Sequence, residues 1–256
     1  MIELRRVTKT FRAHGRDVRA VEAADLEVGE GEIVGLVGES GSGKSTLGRM
    51  LAGLLEPDTG GVFFEKKPLA GMGRAARRDF RRAVQVVFQN PLHSLNPRMT
   101  AGQILAEPFE IHGGGSGAAA GSGRRPRGAA EELLEKVGLP TAYAKRFPYE
   151  LSGGERQRVS IARAIALKPR LVVLDEAVSS LDVLVRAGIL NLLLDLHLKE
   201  KVAYLFISHD LRVVRHLCDR VAVMHGGRIV ETGPARQVLD QPMHDYTRTF
   251  IEASGL

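Results

Sequence analysis

Apolar and polar residues alternate along the first 32 positions, which is typical of strands with one buried face. A continuous apolar run at 33–37 then predicts a fully buried strand, and the spacing of the apolar residues after it, as far as Leu54, predicts a helix beginning near Lys44. Residues 57–61 read as a turn, and 61–65 as a returning strand. The first part of the chain therefore predicts an antiparallel β subdomain joined to an α/β core.

The pattern changes to helical from about Asn90 to Leu151, with helices expected at 101–112 and 129–137. Between them, residues 113–123 contain only Gly, Ala and Ser and have almost nothing to bury, so we expect a flexible surface loop there. Strands and helices alternate again in the rest of the chain. Such alternation predicts a mostly parallel sheet with helices on both faces and a ligand at the carboxyl ends of the strands. The strands are expected at 171–176, 202–207, 221–224 and 229–232, and a helix around 189–196.

Length and composition fit one large domain with a smaller one appended. The chain has 256 residues, of which 44% are hydrophobic and 26% charged. No apolar run approaches the length of a membrane span, and the first six residues have no secretory pattern, so we expect a protein that is soluble unless recruited. The single cysteine, Cys218, excludes an internal disulfide and is expected to pack in the core.

The net charge of +6 comes mostly from arginine, with clusters at 77–82 and 124–127. Such clusters suit nucleic acid or an anionic membrane surface. No nucleic-acid recognition motif accompanies them. The first cluster alternates with apolar positions as an exposed amphipathic helix would, so we favour a protein that docks at the cytosolic face of a membrane.

The residues after the buried run at 33–37 fit the phosphate-binding pattern G-x-x-x-x-G-K-[ST], also called Walker A. Its glycines let the backbone wrap a phosphate with N–H groups pointing inward, and the helix N-terminus adds positive potential. Lys44 is expected to hold the β- and γ-phosphates and Ser45 to offer its hydroxyl to Mg²⁺. The alternative is a flexible loop that matches by chance. The candidate ATP-binding residues are Gly38, Glu39, Ser40, Gly41, Ser42, Gly43, Lys44, Ser45 and Thr46.

Two carboxylates, Asp175 and Glu176, end the apolar run at 171–174. In a phosphate-loop site the second half presents an acid to the metal at such a position. Asp175 is therefore expected to reach Mg²⁺ and Glu176 to orient or deprotonate the attacking water. An acidic pair standing alone is more often a solvated strand end.

The run Leu-Ser-Gly-Gly-Glu at 151–155 resembles the signature of the ATP-binding cassette (ABC) family. Without the resemblance, Ser152 would be interpreted only as the cap of a helix that starts at about Gly154. The resemblance implies the family fold: a P-loop NTPase (RecA-like) core with an antiparallel β subdomain and an inserted helical subdomain. It also implies that Ser152, Gly153, Gly154 and Glu155 close over the ATP held by a partner cassette, so that two nucleotides lie between two subunits.

Further residues match the family pattern. Gln89 resembles the glutamine that touches Mg²⁺ and the attacking water, His209 the switch histidine that senses the γ-phosphate, and residues 179–182 the D-loop along the dimer seam. Phe11 resembles the aromatic residue that stacks on adenine in the family. The alternative interpretation of Phe11 is a residue that only packs in the core. His14, His93, His112 and His225 lack such context and are interpreted as surface or turn residues.

The resemblance divides the single cassette, 1–256, into a core at 1–89 and 156–256 and a helical subdomain at 90–155, with a flexible insert at 113–128. Residues 88–100, 106–108 and 241–248 are similar to importers of oligopeptides, dipeptides and nickel. Ala177 departs from the proline usual in that group, and residues 176–182 with 185–188 are most similar to the nickel importer's second ATP-binding subunit. Because a cassette does not touch the cargo, nickel, a metallophore complex and a peptide all stay open.

The resemblance further implies an ATP-hydrolysing subunit at the cytoplasmic face of the inner membrane. Its partners would be a second, unlike ATPase subunit, two permeases and a solute-binding protein. A non-transport cassette acting on nucleic acid or ribosomes is the alternative; a long coiled coil or a second cassette would favour it, and this sequence has neither. A regulatory subunit with a dead site is disfavoured because Lys44, Gln89, Asp175, Glu176 and His209 are all present.

Overall fold

The structure is a computed structural model, and it describes residues 1–13, 15–112 and 128–255. His14 and nearly all of the expected insert at 113–128 lie outside the described residues, as does the side chain of His93. The described residues form two sheets with helices packed around them.

The first sheet is antiparallel and four-stranded, in the order β2-β1-β4-β5. The long β1–β2 ribbon contains register shifts, and β4 pairs with the other edge of β1. The sequence prediction of an antiparallel β subdomain is confirmed, although β4 starts within the expected turn. The strands are β1 (Ile2–Ala13), β2 (Arg16–Val28), β4 (Thr59–Phe64) and β5 (Lys67–Pro68).

The second sheet has six strands in the order β10-β9-β3-β8-β7-β6, and every neighbouring pair is parallel except β9 and β10. The expected mostly parallel sheet is therefore confirmed. Its strands are β3 (Ile33–Val37), β6 (Val84–Val87), β7 (Leu171–Asp175), β8 (Ala203–Ile207), β9 (Arg220–His225) and β10 (Arg228–Pro234).

Helices cover both faces of this sheet, and two short 3-10 turns, Thr141–Lys145 and Pro148–Glu150, precede the sixth helix. The helix expected near Lys44 begins there, and the arginine-rich cluster at 77–82 is helical as expected. The helices are α1 (Lys44–Leu51), α2 (Arg74–Ala83), α3 (Pro91–Ser94), α4 (Ala101–His112), α5 (Ala129–Lys136), α6 (Gly153–Ile165), α7 (Val183–Glu200), α8 (Leu211–Leu217), α9 (Ala235–Asp240) and α10 (Asp245–Ala253).

The core divides into two apolar clusters because side chains alternate across the central sheet. In β3, Ile33 and Val37 face a cluster that contains residues of α4, α6 and α7, whereas Val34 and Leu36 face one that contains residues of α1 and the antiparallel sheet. Cys218 is buried in the first cluster, where burial raises the pKa of its thiol, and it packs as expected.

The helices between β6 and β7 build a separate layer in which α4, α5 and the Thr141–Lys145 turn contact one another. This helical layer is joined to the central sheet through α6, which follows the layer in the chain and contacts β6.

Among the described residues, no helix is both long and apolar enough to cross a bilayer.

Candidate nucleotide-binding site

The glycine-rich loop, residues 38–43, connects the buried end of β3 to α1. Gly38 and Gly43 have φ angles of 147° and 106°, which residues that carry a side chain rarely adopt. A Cβ at Gly38 would lie 2.1 Å from the carbonyl oxygen of Met224, and one at Gly43 would lie 2.1 Å from that of Ala20. Only glycine fits these two positions, because backbone presses on the loop from β9 and from β2.

Lys44 is buried at the first position of α1. Its Nζ donates to the carbonyls of Gly38 at 2.8 Å and Glu39 at 2.6 Å, so the ammonium lies inside the curve of the loop. Burial lowers the pKa of Lys44, and the carboxylates of Glu176 and Asp175 oppose that shift. The other loop positions expected to meet nucleotide divide by exposure: Glu39, Ser40 and Gly41 are exposed, Ser42 is buried, and Thr46 is half-buried.

Ser45 and Asp175 meet at the carboxyl edge of the central sheet. The Ser45 hydroxyl donates to Oδ1 of Asp175 at 2.7 Å, and Asp175 is buried. A hydroxyl and a carboxylate are the hard oxygen donors that Mg²⁺ prefers, and Mg²⁺ sites on nucleotides use one or two protein groups plus phosphate oxygens. The pair therefore fits a magnesium ion bound together with a nucleotide.

Glu176 follows β7 and lies between two polar side chains from the neighbouring strand ends. Nε2 of Gln89, after β6, donates to Oε2 of Glu176 at 3.0 Å, and Nδ1 of His209, after β8, is 3.7 Å from the same oxygen. The backbone of Glu176 is left-handed, with φ 49°, and its N–H donates to the carbonyl of Ile207. Since β8, β7 and β6 are parallel neighbours, their carboxyl ends bring the three predicted residues together.

The signature residues, 152–155, lie at the start of α6, in a different segment of the chain from the loop and the strand ends described above. Ser152 and Glu155 form a capping box: the Ser152 N–H donates to Oε2 of Glu155 at 2.7 Å, and the Glu155 N–H to the Ser152 hydroxyl at 3.3 Å. Tyr143 donates to the other oxygen of Glu155. Within the described parts of the chain, the side-chain hydrogen bonds of Ser152 and Glu155 stay in this group, and none reaches the glycine-rich loop.

The two glycines of the signature sit against the D-loop and α7. A Cβ at Gly154 would lie 2.4 Å from Cγ1 of Val185, whereas one at Gly153 would be 3.8 Å from Leu181. Gly154 therefore allows α6 to approach the start of α7 closely, which keeps the signature, with its exposed Ser152, beside residues 179–182.

Phe11 lies near the end of β1, paired with Val18 of β2, and is 41% exposed. Nζ of Lys9 is 5.9 Å from the centre of its ring. A buried packing role does not fit this exposure, and an exposed ring keeps a face available for a flat ligand.

Tyr246 contacts the glycine-rich loop, which the residue pattern did not indicate. The Glu39 N–H donates to the Tyr246 hydroxyl at 3.3 Å. The ring of His225, interpreted from sequence as a surface or turn residue without context, is exposed but stacks on Tyr246 with centroids 3.8 Å apart. Burial raises the pKa of Tyr246, so the phenol is protonated at neutral pH. The only sequence signal was the similarity of residues 241–248 to one importer group.

Residues 21–179 match the sequence model of the family described as ABC transporter. The chain belongs to the ABC transporter family. A putative peptide import ATP-binding protein of Brucella abortus is 50% identical over 238 residues, which cover 92% of this chain and 69% of the relative. A probable peptide ABC transporter ATP-binding protein of Sinorhizobium fredii is 49% identical over 244 residues, covering 95% of this chain and 67% of the relative.

A glutathione import ATP-binding protein of Salmonella typhimurium is 48% identical over 238 residues, 93% of this chain but 37% of that longer protein. Among solved structures, a dimeric ATP-binding cassette in a post-hydrolysis state with ADP and Pi superposes with a TM-score of 0.80 at 30% identity, covering 92% of this chain and 99% of that one. A subunit of an ABC transporter complex from Clostridium perfringens, 23% identical with a TM-score of 0.75 over 94% and 90% of the two chains, agrees in fold.

These relatives confirm the cassette fold with its P-loop core, antiparallel sheet and helical part. The alternative of a cassette that acts on nucleic acid or ribosomes finds no support among them. The finer sequence prediction, a subunit of nickel import, is not supported either, since the curated relatives are described by peptide and glutathione import.

Proposed function

We propose that this chain is the ATP-hydrolysing subunit of a bacterial importer whose cargo is a small peptide. The observation that carries the ATPase proposal is the Ser45 hydroxyl 2.7 Å from Asp175, directly beside a loop in which only glycine fits at two positions. Peptides are the first cargo candidate because the similar curated proteins are described by peptide and glutathione import. Nickel is the second cargo candidate, because residues 176–182 and 185–188 resemble the second ATP-binding subunit of the nickel importer.

In this proposal the loop amides and Lys44 bind the phosphates of ATP. Lys44 would exchange its bonds to the Gly38 and Glu39 carbonyls for phosphate oxygens. Ser45, Asp175 and Gln89 would hold Mg²⁺. Bound Mg²⁺ supplies a positive charge that offsets the charge developing on the phosphate oxygens.

Glu176 is the proposed general base. One of its carboxylate oxygens accepts the hydrogen bond from Gln89, which fixes the carboxylate in one orientation. In that orientation Glu176 would take a proton from the water that attacks the γ-phosphate. His209, near the same carboxylate, would donate to the γ-phosphate, and Phe11 would stack on adenine.

The signature residues Ser152–Glu155 would serve the nucleotide of a second cassette. The exposed Ser152 and the first turn of α6 offer hydroxyl and N–H donors to an anion from outside the chain. We therefore propose a sandwich with an unlike ATPase subunit, docked on two permeases at the cytoplasmic face of the inner membrane and supplied by a solute-binding protein. Residues 90–155 would contact the permeases, and residues 1–89 and 156–256 would form the ATP-binding core.

The test of nucleotide binding is Lys44→Ala, with Lys168→Ala as the matched control because Lys168 is a lysine on the loop before β7. The first variant should lose most affinity for MgATP and the second should keep it. Equal affinity in Lys44→Ala and wild type would contradict the phosphate-loop proposal. For the cargo, uptake of a labelled dipeptide, glutathione and Ni²⁺ is compared in cells with and without the chain; loss of Ni²⁺ uptake alone would select nickel.

A further inference from the structure

Tyr246 joins the C-terminal helix to the glycine-rich loop. Its hydroxyl accepts the Glu39 N–H, and its ring lies between His225 and Phe250, with centroids at 3.8 and 5.9 Å. The carbonyl of Glu39 is bound as well, by Nζ of Lys44 and by the N–H of Ser42 at 3.2 Å. Both backbone polar groups of Glu39 are thus fixed, the N–H by Tyr246 and the carbonyl from inside the loop.

The end of β9 and the turn between β9 and β10 also contact the glycine-rich loop. The Gly227 N–H donates to the carbonyl of Ser42 at 3.1 Å, and the Met224 carbonyl fills the space where Gly38 lacks a side chain. His225, between these two contacts, supplies the ring on which Tyr246 stacks. The end of β9 and the turn after it therefore contact the loop at Gly38 and at Ser42, and Tyr246 binds it at Glu39, next to Gly38.

The start of α10 is itself fastened to β10. The carboxylate of Glu231 accepts the N–H groups of Met243 at 2.9 Å and His244 at 3.0 Å, and Nδ1 of His244 accepts the Tyr246 N–H at 3.1 Å. Further along the helix, Phe250 and Ile251 are buried. Tyr246 consequently reaches the loop from a helix whose start is hydrogen-bonded to β10.

We propose that Tyr246 is a positioning residue of the nucleotide site, which holds the first turn of the glycine-rich loop in the shape that receives phosphate. This inference rests on the proposed ATP-binding function. Lys44 can serve a phosphate only by giving up the carbonyls of Gly38 and Glu39. The bond from the Glu39 N–H to Tyr246 does not involve Lys44, so it persists when Lys44 turns to the nucleotide and keeps the loop open.

The test is Tyr246→Phe, which removes the hydroxyl and keeps the ring stack. Its affinity for MgADP, measured by calorimetry, should fall about 3- to 10-fold, the size expected for one net hydrogen bond. The kcat at saturating ATP should stay within about twofold of wild type, since the hydroxyl touches no reacting atom, so the loss should appear in KM. His225→Ala, which removes the stacking partner and keeps the hydroxyl, should weaken MgADP in the same direction.

The matched control is Tyr204→Phe, which removes another tyrosyl hydroxyl, bonded to the Leu193 carbonyl at 3.0 Å in the core. It should lower the melting temperature and leave MgADP affinity unchanged. Unchanged affinity in Tyr246→Phe, or an equal loss in Tyr204→Phe, would overturn the inference. Lys44→Ala separates the two proposals: if Lys44→Ala binds as wild type does, the ATP site itself is wrong, whereas weakened Lys44→Ala with unaffected Tyr246→Phe overturns the role of Tyr246 alone.

Discussion

Gln89 donates a hydrogen bond to Glu176 at 3.0 Å although 87 residues separate them in the chain. Gln89 directly precedes Asn90, whose side chain caps α3 at the entry to the helical layer. A displacement of that layer would move Gln89 and with it the donor that orients the Glu176 carboxylate. This bond gives the proposed permease-contacting helices a physical connection to the proposed catalytic base.

Glu176→Gln should keep ATP binding and lose turnover. The amide preserves shape and can still accept from Gln89, but it cannot take a proton from water. Loss of a general base typically lowers kcat by factors of roughly 10² to 10⁴. Steady-state hydrolysis and nucleotide affinity measure the two effects separately, and near-normal hydrolysis would assign the base to another residue.

Gly43→Ala and Gly41→Ala test the close packing of the loop. Both glycines have positive φ, but a Cβ at Gly41 meets nothing within 4 Å, whereas one at Gly43 meets the Ala20 carbonyl at 2.1 Å. Gly41→Ala should lose about 1 kcal/mol of unfolding free energy through left-handed strain alone. Gly43→Ala should lose about 1–3 kcal/mol more, because backbone must move. Denaturant unfolding of both variants makes the comparison, and equal losses would mean that β2 does not press on the loop.

Acid should weaken the cap of α6 through Glu155. The Ser152 N–H, which donates to Glu155, is the main reason why the pKa of this carboxyl is below its ordinary value of 4.5. With the folded-state pKa lowered, the stabilising contribution is complete above about pH 4.5 and is lost as the pH falls through the folded-state pKa.

The measurement is the difference in unfolding free energy between wild type and Glu155→Gln, a variant that retains the capping geometry. This difference should favour wild type near neutrality and shrink below pH 4.5. A difference that grows on acidification would show that the ionised form is not the one stabilised.

The ATPase rate should depend on association. In the proposed sandwich each complete site needs the glycine-rich loop of one cassette and Ser152 of another, so the isolated chain should be a weak ATPase. Its specific activity should rise steeply with its partner cassette and permeases. Sedimentation and hydrolysis measured against protein concentration test this, and full activity in a monomer at every concentration would refute the sandwich.

Local sequence was sufficient for the parts of the site that lie on one segment. The run ending at Val37, the glycines and Lys44 predict strand, loop and helix because each residue type limits its own backbone. The Ser45–Asp175 contact was expected only through the phosphate-loop pattern. Composition and periodicity do not specify that β8 separates β3 from β7, since strand order depends on crossovers between distant segments.

The contact of Tyr246 with Glu39 was not predicted for the same reason. The two residues are 207 positions apart, and a tyrosine in a C-terminal amphipathic helix is most simply interpreted as packing. His225 likewise has no local pattern, because its partner comes from another element. The contact follows from the antiparallel return of β10, which brings α10 back beside the loop.

The left-handed backbone of Glu176 has an evolutionary consequence. A glutamate at φ 49° costs about 1–2 kcal/mol relative to a residue that accepts this conformation freely. Laboratory selection of random variants for heat resistance alone should therefore favour glycine at position 176. The selected glycine variants would be more stable and would still bind nucleotide, but without the proposed base they would not hydrolyse it. Selection for thermal stability and selection for transport should therefore favour different residues at position 176.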